Sequence, residues 1–171
     1  MELKGKRIAI LIEDMYNEFE FWYPYYRMKE AGASVTVIGT GANEYHSKIG
    51  LPAPGGTPAG SVSAADFEAV IVPGGFAPDR MRRSADVLKL VRDSFQQGKI
   101  VAAICHAGWV LVSAGVLQGK RATCFFAIKD DVVNAGAKYV DQEVVRDGNL
   151  ITSRMPDDLP AFCREIIAAL K

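Results

Sequence analysis

Apolar residues follow two rhythms along this chain: short, nearly continuous runs, and longer stretches in which they recur every three or four positions. The first run, Arg7 to Ile12, predicts a strand, and Phe19 to Ala31 then shows helical spacing up to a stop at Gly32. Ser34 to Gly39 predicts a second strand, whereas Thr40 to Gly60 is polar, rich in Gly and Pro, and reads as a loop. Phe67 to Val72 is another apolar strand, cut off by Pro73-Gly74-Gly75. Ser84 to Gln97 places Val87, Leu88, Val91 and Phe95 at helical intervals before Gly98. Ile100 to Ile104 is the kind of unbroken run that a parallel strand buried on both faces requires, and is expected to be the central strand. Leu159, Phe162, Cys163, Ile166 and Leu170 form one stripe of a last helix over Leu159 to Leu170.

Strands alternating with helices imply right-handed crossovers and an α/β fold: a flavodoxin-like, doubly wound, mostly parallel sheet with helices on both faces. Ligands of such sheets sit at the carboxyl ends of the strands. With 171 residues, 49% of them hydrophobic, and no repeat or linker, the chain is expected to form one domain over residues 1–171.

Charge narrows the partners. Twenty basic and twenty acidic residues are mixed along the sequence, leaving no electrostatic footprint for nucleic acid or an anionic membrane. The N-terminal apolar run is too short for a signal peptide or a membrane span, so a cytoplasmic location is expected. Three cysteines without a CxxC pair, and only two histidines, fit neither a disulfide framework nor a zinc site, and no metal or cofactor is expected. Gly39-Thr40-Gly41 lacks the third glycine of a dinucleotide-binding loop and follows the second strand, where that motif does not belong.

The chemistry concentrates at Cys105. In IVAAICHAGWVL the buried strand ends at Ile104 and a helix opens at Ala107-Gly108, so Cys105 and His106 occupy a sharp strand-to-helix turn flanked by small residues. The same steric arrangement lifts the serine of hydrolase nucleophile elbows. A thiol at a helix N-terminus is expected to be drawn toward thiolate. The amides of Gly75 and His106, both at carboxyl ends of strands, are candidate donors to an oxyanion. Cys124 and Cys163 have no comparable setting and read as core. Neighbouring side chains diverge on a regular backbone, so His106 needs a strained elbow to face Cys105, and His46 in the polar loop is the alternative partner.

The segments PGGFAPDRMR, AAICHAGWVL, KDDVVNAGAKYVD and ITSRMPDDLPAF, in this order, resemble the PfpI intracellular protease family. That family belongs to a superfamily with the Parkinson-associated redox protein and the class I glutamine amidotransferase domains. The resemblance covers nearly the whole chain. It implies a flavodoxin-like sandwich with Cys105 as nucleophile, His106 as acid or base, and a third member donated by a neighbouring subunit of a homodimer or hexamer. Asp79 stands where the family has that glutamate. The resemblance also places Glu20 beside the cysteine sulfur, where burial and like charge would keep it protonated, and puts Asn17 where the family usually has a glutamate. The dense aromatics at Phe21, Trp22, Tyr23, Tyr25 and Tyr26 then read as core plus subunit interface. Three functions follow: a cysteine hydrolase acting on peptides, a glyoxalase or deglycase acting on methylglyoxal-type aldehydes or their adducts, and an oxidative-stress redox sensor or chaperone without turnover. The first matches the motifs most directly.

Overall fold

The computed structural model describes residues 1–171. Strand β1 (Arg7–Leu11) leads into helix α1 (Glu18–Glu30), then β2 (Ser34–Gly39), a hairpin of β3 (Glu44–His46) and β4 (Pro52–Pro54), and β5 (Thr57–Pro58). Next come β6 (Ala69–Val72), α2 (Ala77–Met81), α3 (Ala85–Gln96), β7 (Ile100–Ile104) and α4 (Gly108–Ala114). The chain closes with β8 (Arg121–Ala122), α5 (Lys129–Asn134), β9 (Lys138–Tyr139), β10 (Val145–Asp147), β11 (Leu150–Ser153) and α6 (Leu159–Leu170).

Seven strands form one sheet in the order β10-β11-β7-β6-β1-β2-β5, parallel except for the β10–β11 pair. Its five inner parallel strands run in the flavodoxin-like order, in which the chain moves outward from β1 to β2 and then returns past β1 to β6. Every residue of β6 and β7 is buried, which explains why these strands read as continuous apolar runs rather than alternating ones. They share a core cluster of 51 buried residues that includes the α6 stripe Leu159, Phe162, Cys163, Ile166 and Leu170. No helix is long and apolar enough to cross a membrane.

The structure departs from the sequence reading in three places. β6, not β7, is the middle strand, and β7 lies one position away, between β6 and β11. β6 starts at Ala69 rather than Phe67, because a short 3-10 turn over Ala64–Asp66, capped reciprocally by Ser63 and Asp66, carries the chain up to Phe67. The loop from Thr40 to Gly60 contains the β3–β4 hairpin and β5. These strands are two or three residues long and contain Pro52, Pro54 and Pro58, so no periodicity marks them. The Tyr45 hydroxyl fixes the hairpin from within by accepting the N–H groups of Thr40, Gly41 and Ala42 at 2.8, 3.1 and 3.1 Å.

Candidate active site

The register of β6 on β7 pairs Val72 with Ala103, so the strands end level and their exits, Gly74-Gly75 and Cys105-His106, lie side by side. Cys105 has φ +62°, one of only two non-glycine residues in the left-handed region. That turn resolves the objection to adjacent partners: Cys105 Sγ lies 3.2 Å from His106 Nδ1. His46 is exposed and pairs with Glu44 at 3.3 Å, so it is not the partner of the thiol.

Glu20 is fully buried in the first turn of α1. Asn17 holds that turn as its N-cap, its side-chain oxygen accepting the N–H groups of Phe19 and Glu20 at 3.0 and 3.2 Å. Asn17 therefore organises the turn that aims Glu20. Glu20 Oε2 accepts the Gly74 N–H at 2.8 Å, while Oε1 is buried without a partner. Gly74 fits here because it lacks a side chain: a Cβ would stand 2.4 Å from Glu20 Oε2 and 2.8 Å from Cys105 Cβ. The carboxyl and the thiol thus flank one glycine.

Burial raises Glu20 to about 7, against an ordinary value of 4.5. Burial, and then the Glu20 charge, push the Cys105 thiol up to about 12, while the N–H groups of His106 and Gly75 favour its thiolate. The thiol is therefore not lowered by a helix terminus as the sequence suggested. A 3-10 turn intervenes before α4, a helix of only seven residues, and burial outweighs its field. The two acids act as a pair with one readily lost proton, which leaves near pH 7. Above that pH the proton that remains belongs to the thiol, which burial and the Glu20 charge hold up.

His106 is lowered by burial first and by Lys48 second, so its imidazole is neutral at neutral pH. Its ring stacks on Phe125 at 5.0 Å and meets the edge of Trp109 at 5.1 Å. Asp79, on α2, pairs with Arg83, just past the end of that helix, and not with His106 of its own chain. Gly75 has φ +79°, and a Cβ there would come within 2.5 Å of both Asn17 N and Met15 O. Only glycine permits this approach, which leaves the Gly75 amide at the sulfur alongside that of His106. Cys124 and Cys163 are buried, and burial pushes each up to about 12. No group of His, Cys, Asp and Glu side chains is arranged to hold a metal ion.

A cavity of about 230 Å³ opens over the thiol, lined by Asn17, Gly75, Phe76, His106 and Phe125 as well as Cys105, and by the exposed Lys48. Lys48 and Phe125 escaped the sequence reading. Lys48 lies in a segment whose hairpin has no periodic pattern, and Phe125 sits in an apolar stretch that looks like any core segment.

A cysteine on a strained strand-to-helix elbow, backed by a buried glutamate at the edge of a flavodoxin-like sheet, defines a class of thiol-centred α/β proteins. Within that class, the chain belongs to the DJ-1/PfpI family, whose model matches residues 6–169. A Pyrococcus abyssi protein named as a deglycase is 41% identical over 96% of this chain and 99% of its own length. YraA of Bacillus subtilis, named as a candidate cysteine protease, is 40% identical over 98% of this chain and 99% of its own. A crystal structure of an Anabaena variabilis protein with DJ-1/ThiJ/PfpI-like and ferritin-like domains superposes with a TM-score of 0.95 at 44% identity. It matches 97% of this chain, which spans 48% of that larger protein.

Proposed function

We propose that this protein is a cysteine-dependent enzyme of the glyoxalase or deglycase kind, in which Cys105 attacks the aldehyde carbon of a small dicarbonyl compound or its adduct. The observation that carries this reading is the Glu20 carboxyl beside the thiol, with one oxygen fixed by Gly74 and the other buried and free to exchange a proton. Addition of the thiolate to methylglyoxal forms a carbon–sulfur bond and moves the carbonyl electron pair onto oxygen. In this reading the amides of Gly75 and His106, which face the sulfur, hold that charge, and Glu20 supplies the proton that completes a hemithioacetal. Glu20 or His106 then moves the hydrogen from the former aldehyde carbon, as a proton, to the neighbouring carbon through an enediol, while the hydroxyl proton passes from the first oxygen to the second, which leaves the thioester of lactate. Water cleaves the thioester, releasing lactate and restoring the thiol. A cavity of about 230 Å³ suits a substrate of this size. The name of the Pyrococcus relative agrees.

The test is conversion of methylglyoxal to lactate by the wild type and by Cys105→Ala and Glu20→Gln. Loss of turnover in both variants is the expected result. Full activity in either one overturns the reading.

A second reading, peptide hydrolysis, draws on the 3.2 Å contact between Sγ and Nδ1 and on the name of the Bacillus relative. It requires Asp79 of a second copy to orient His106 in a homodimer or hexamer, because Asp79 of the same chain turns to Arg83. Peptide cleavage that falls on dilution, together with dissociation of the oligomer, is what this reading demands.

A further inference from the structure

Among the side chains that line the cavity, Lys48 is the one cation: Asn17, Gly75, Phe76, Phe125 and Pro156 carry no charge, and His106 is held neutral. Its position is built into the fold. The Lys48 N–H donates to the Tyr16 carbonyl at 3.0 Å. The adjacent Ser47 hydroxyl accepts the N–H groups of Ile49 and Leu51 at 3.2 and 3.0 Å, and the Tyr16 hydroxyl donates to the Leu51 carbonyl at 2.7 Å. Tyr16 also bridges to Gly75, so the turn bearing Lys48 is tied to the loop that presents the oxyanion amide. The ammonium stands 5.7 Å from the centre of the Phe76 ring, on the wall of the cavity.

Resting on the reading of Cys105 as a nucleophile toward aldehydes, we infer that Lys48 makes this site selective for dicarbonyls that carry a carboxylate, holding the anion at the rim while the aldehyde carbon meets the sulfur. One ammonium as the sole cationic side chain of the lining matches a monoanion. A phosphate dianion would call for further donors, and the lining supplies no arginine or second lysine. The bond made at sulfur is the same hemithioacetal as before, and Lys48 takes no part in proton transfer.

The experiment compares alkylation of Cys105 by iodoacetate and by iodoacetamide, two reagents that differ in one charge, followed by peptide mass spectrometry. A single rim charge acting across partly solvated space supports about a fivefold preference, weakened by added salt. The ratio of the iodoacetate rate to the iodoacetamide rate should fall about fivefold in Lys48→Met and return in Lys48→Arg. A ratio that stays put in Lys48→Met, including the case where both rates drop together, overturns the inference. Because alkylation needs no turnover, failure of the wild type to convert methylglyoxal would remove the proposed function without deciding this point. Where turnover exists, kcat/KM for γ,δ-dioxovalerate relative to methylglyoxal should follow the same ratio.

Discussion

Replacing Glu20 by Gln should stabilise the protein in mildly alkaline buffer and leave its stability nearly unchanged in mild acid. Burial holds the Glu20 carboxyl at about 7 in the folded chain against 4.5 ordinarily. Between those values the folded chain keeps a proton that the unfolded chain releases, so stability falls as pH rises through the window and the loss is complete above about 7. The gap corresponds to about 3 kcal/mol, at ~1.4 kcal/mol for each pH unit. Glutamine occupies nearly the same volume, keeps an acceptor for the Gly74 N–H, and brings no charge to bury. For a chain of this length, the difference in alkaline buffer amounts to roughly 5–10 °C in Tm. The assay is thermal unfolding of both proteins at a series of pH values from about 4 to about 8, the span that brackets this ionisation. The wild-type Tm should fall across the series relative to that of the variant, with the curves meeting at the acid end. A constant offset, or a variant less stable than the wild type in alkaline buffer, would refute the reasoning. The variant should gain stability while losing turnover, as expected of a residue kept for chemistry rather than for packing.

Alkylation of Cys105 by iodoacetamide should show its inflection above the ordinary thiol range, and in Glu20→Gln that inflection should fall, because the carboxylate charge that opposes the thiolate is gone; equal inflections would show that the two groups are not coupled. Gly74→Ala should cost about 1–3 kcal/mol in urea unfolding and abolish turnover, since its Cβ would collide with Glu20 Oε2 at 2.4 Å. Combining it with Glu20→Ala should recover part of that stability, whereas strict additivity would show that the two sites do not touch. Brief peroxide treatment should add oxygen to Cys105 before Cys124 or Cys163, because it lines the open cavity and both others are 1% exposed; peptide mass spectra showing Cys124 or Cys163 oxidised first would contradict this order.

The parts of the fold written in long apolar patterns were legible. α6 matches its predicted bounds, and α1 and α3 differ from theirs by one residue at either end. Cys105 was legible because small residues surround a turn between a buried strand and a helix, a local pattern. Its acid–base environment was not, because it depends on a contact 54 residues apart in the chain, the Gly74 N–H on Glu20. No local rule distinguishes Glu20 from Glu18 two residues earlier. Only the family resemblance singled it out, and the structure shows which of the two faces the sulfur. The ionisation of the thiol was misjudged for a related reason: a helix terminus can be read from sequence, whereas the depth of burial that outweighs it cannot. Lys48 was hidden because its place is set by a hairpin with too few residues to show a period.

The strained backbone at Cys105 is what joins these parts into one site. On a regular strand, consecutive side chains leave opposite faces, and a cysteine followed by a histidine would be separated by the sheet. At φ +62° the chain folds back, and the two side chains meet at 3.2 Å. A non-glycine residue in this region costs about 1–2 kcal/mol, so the surroundings must hold it there. The β7 register pins Ala103 to Val72 and Ile104 to Ser153, so the strand is fixed on both sides up to the residue before the turn. Beyond it, the Phe125 N–H donates to the Cys105 carbonyl at 3.3 Å, and Gly108 lets α4 start against Ile128 and Val132, where a Cβ would come within 2.9 and 3.1 Å. Cys105 carries backbone strain and Glu20 carries a buried acid. A sequence selected for stability alone would keep neither feature, and the two meet across a single glycine. Their meeting there is the physical reason to read this corner of the sheet as a site of chemistry rather than as part of the core.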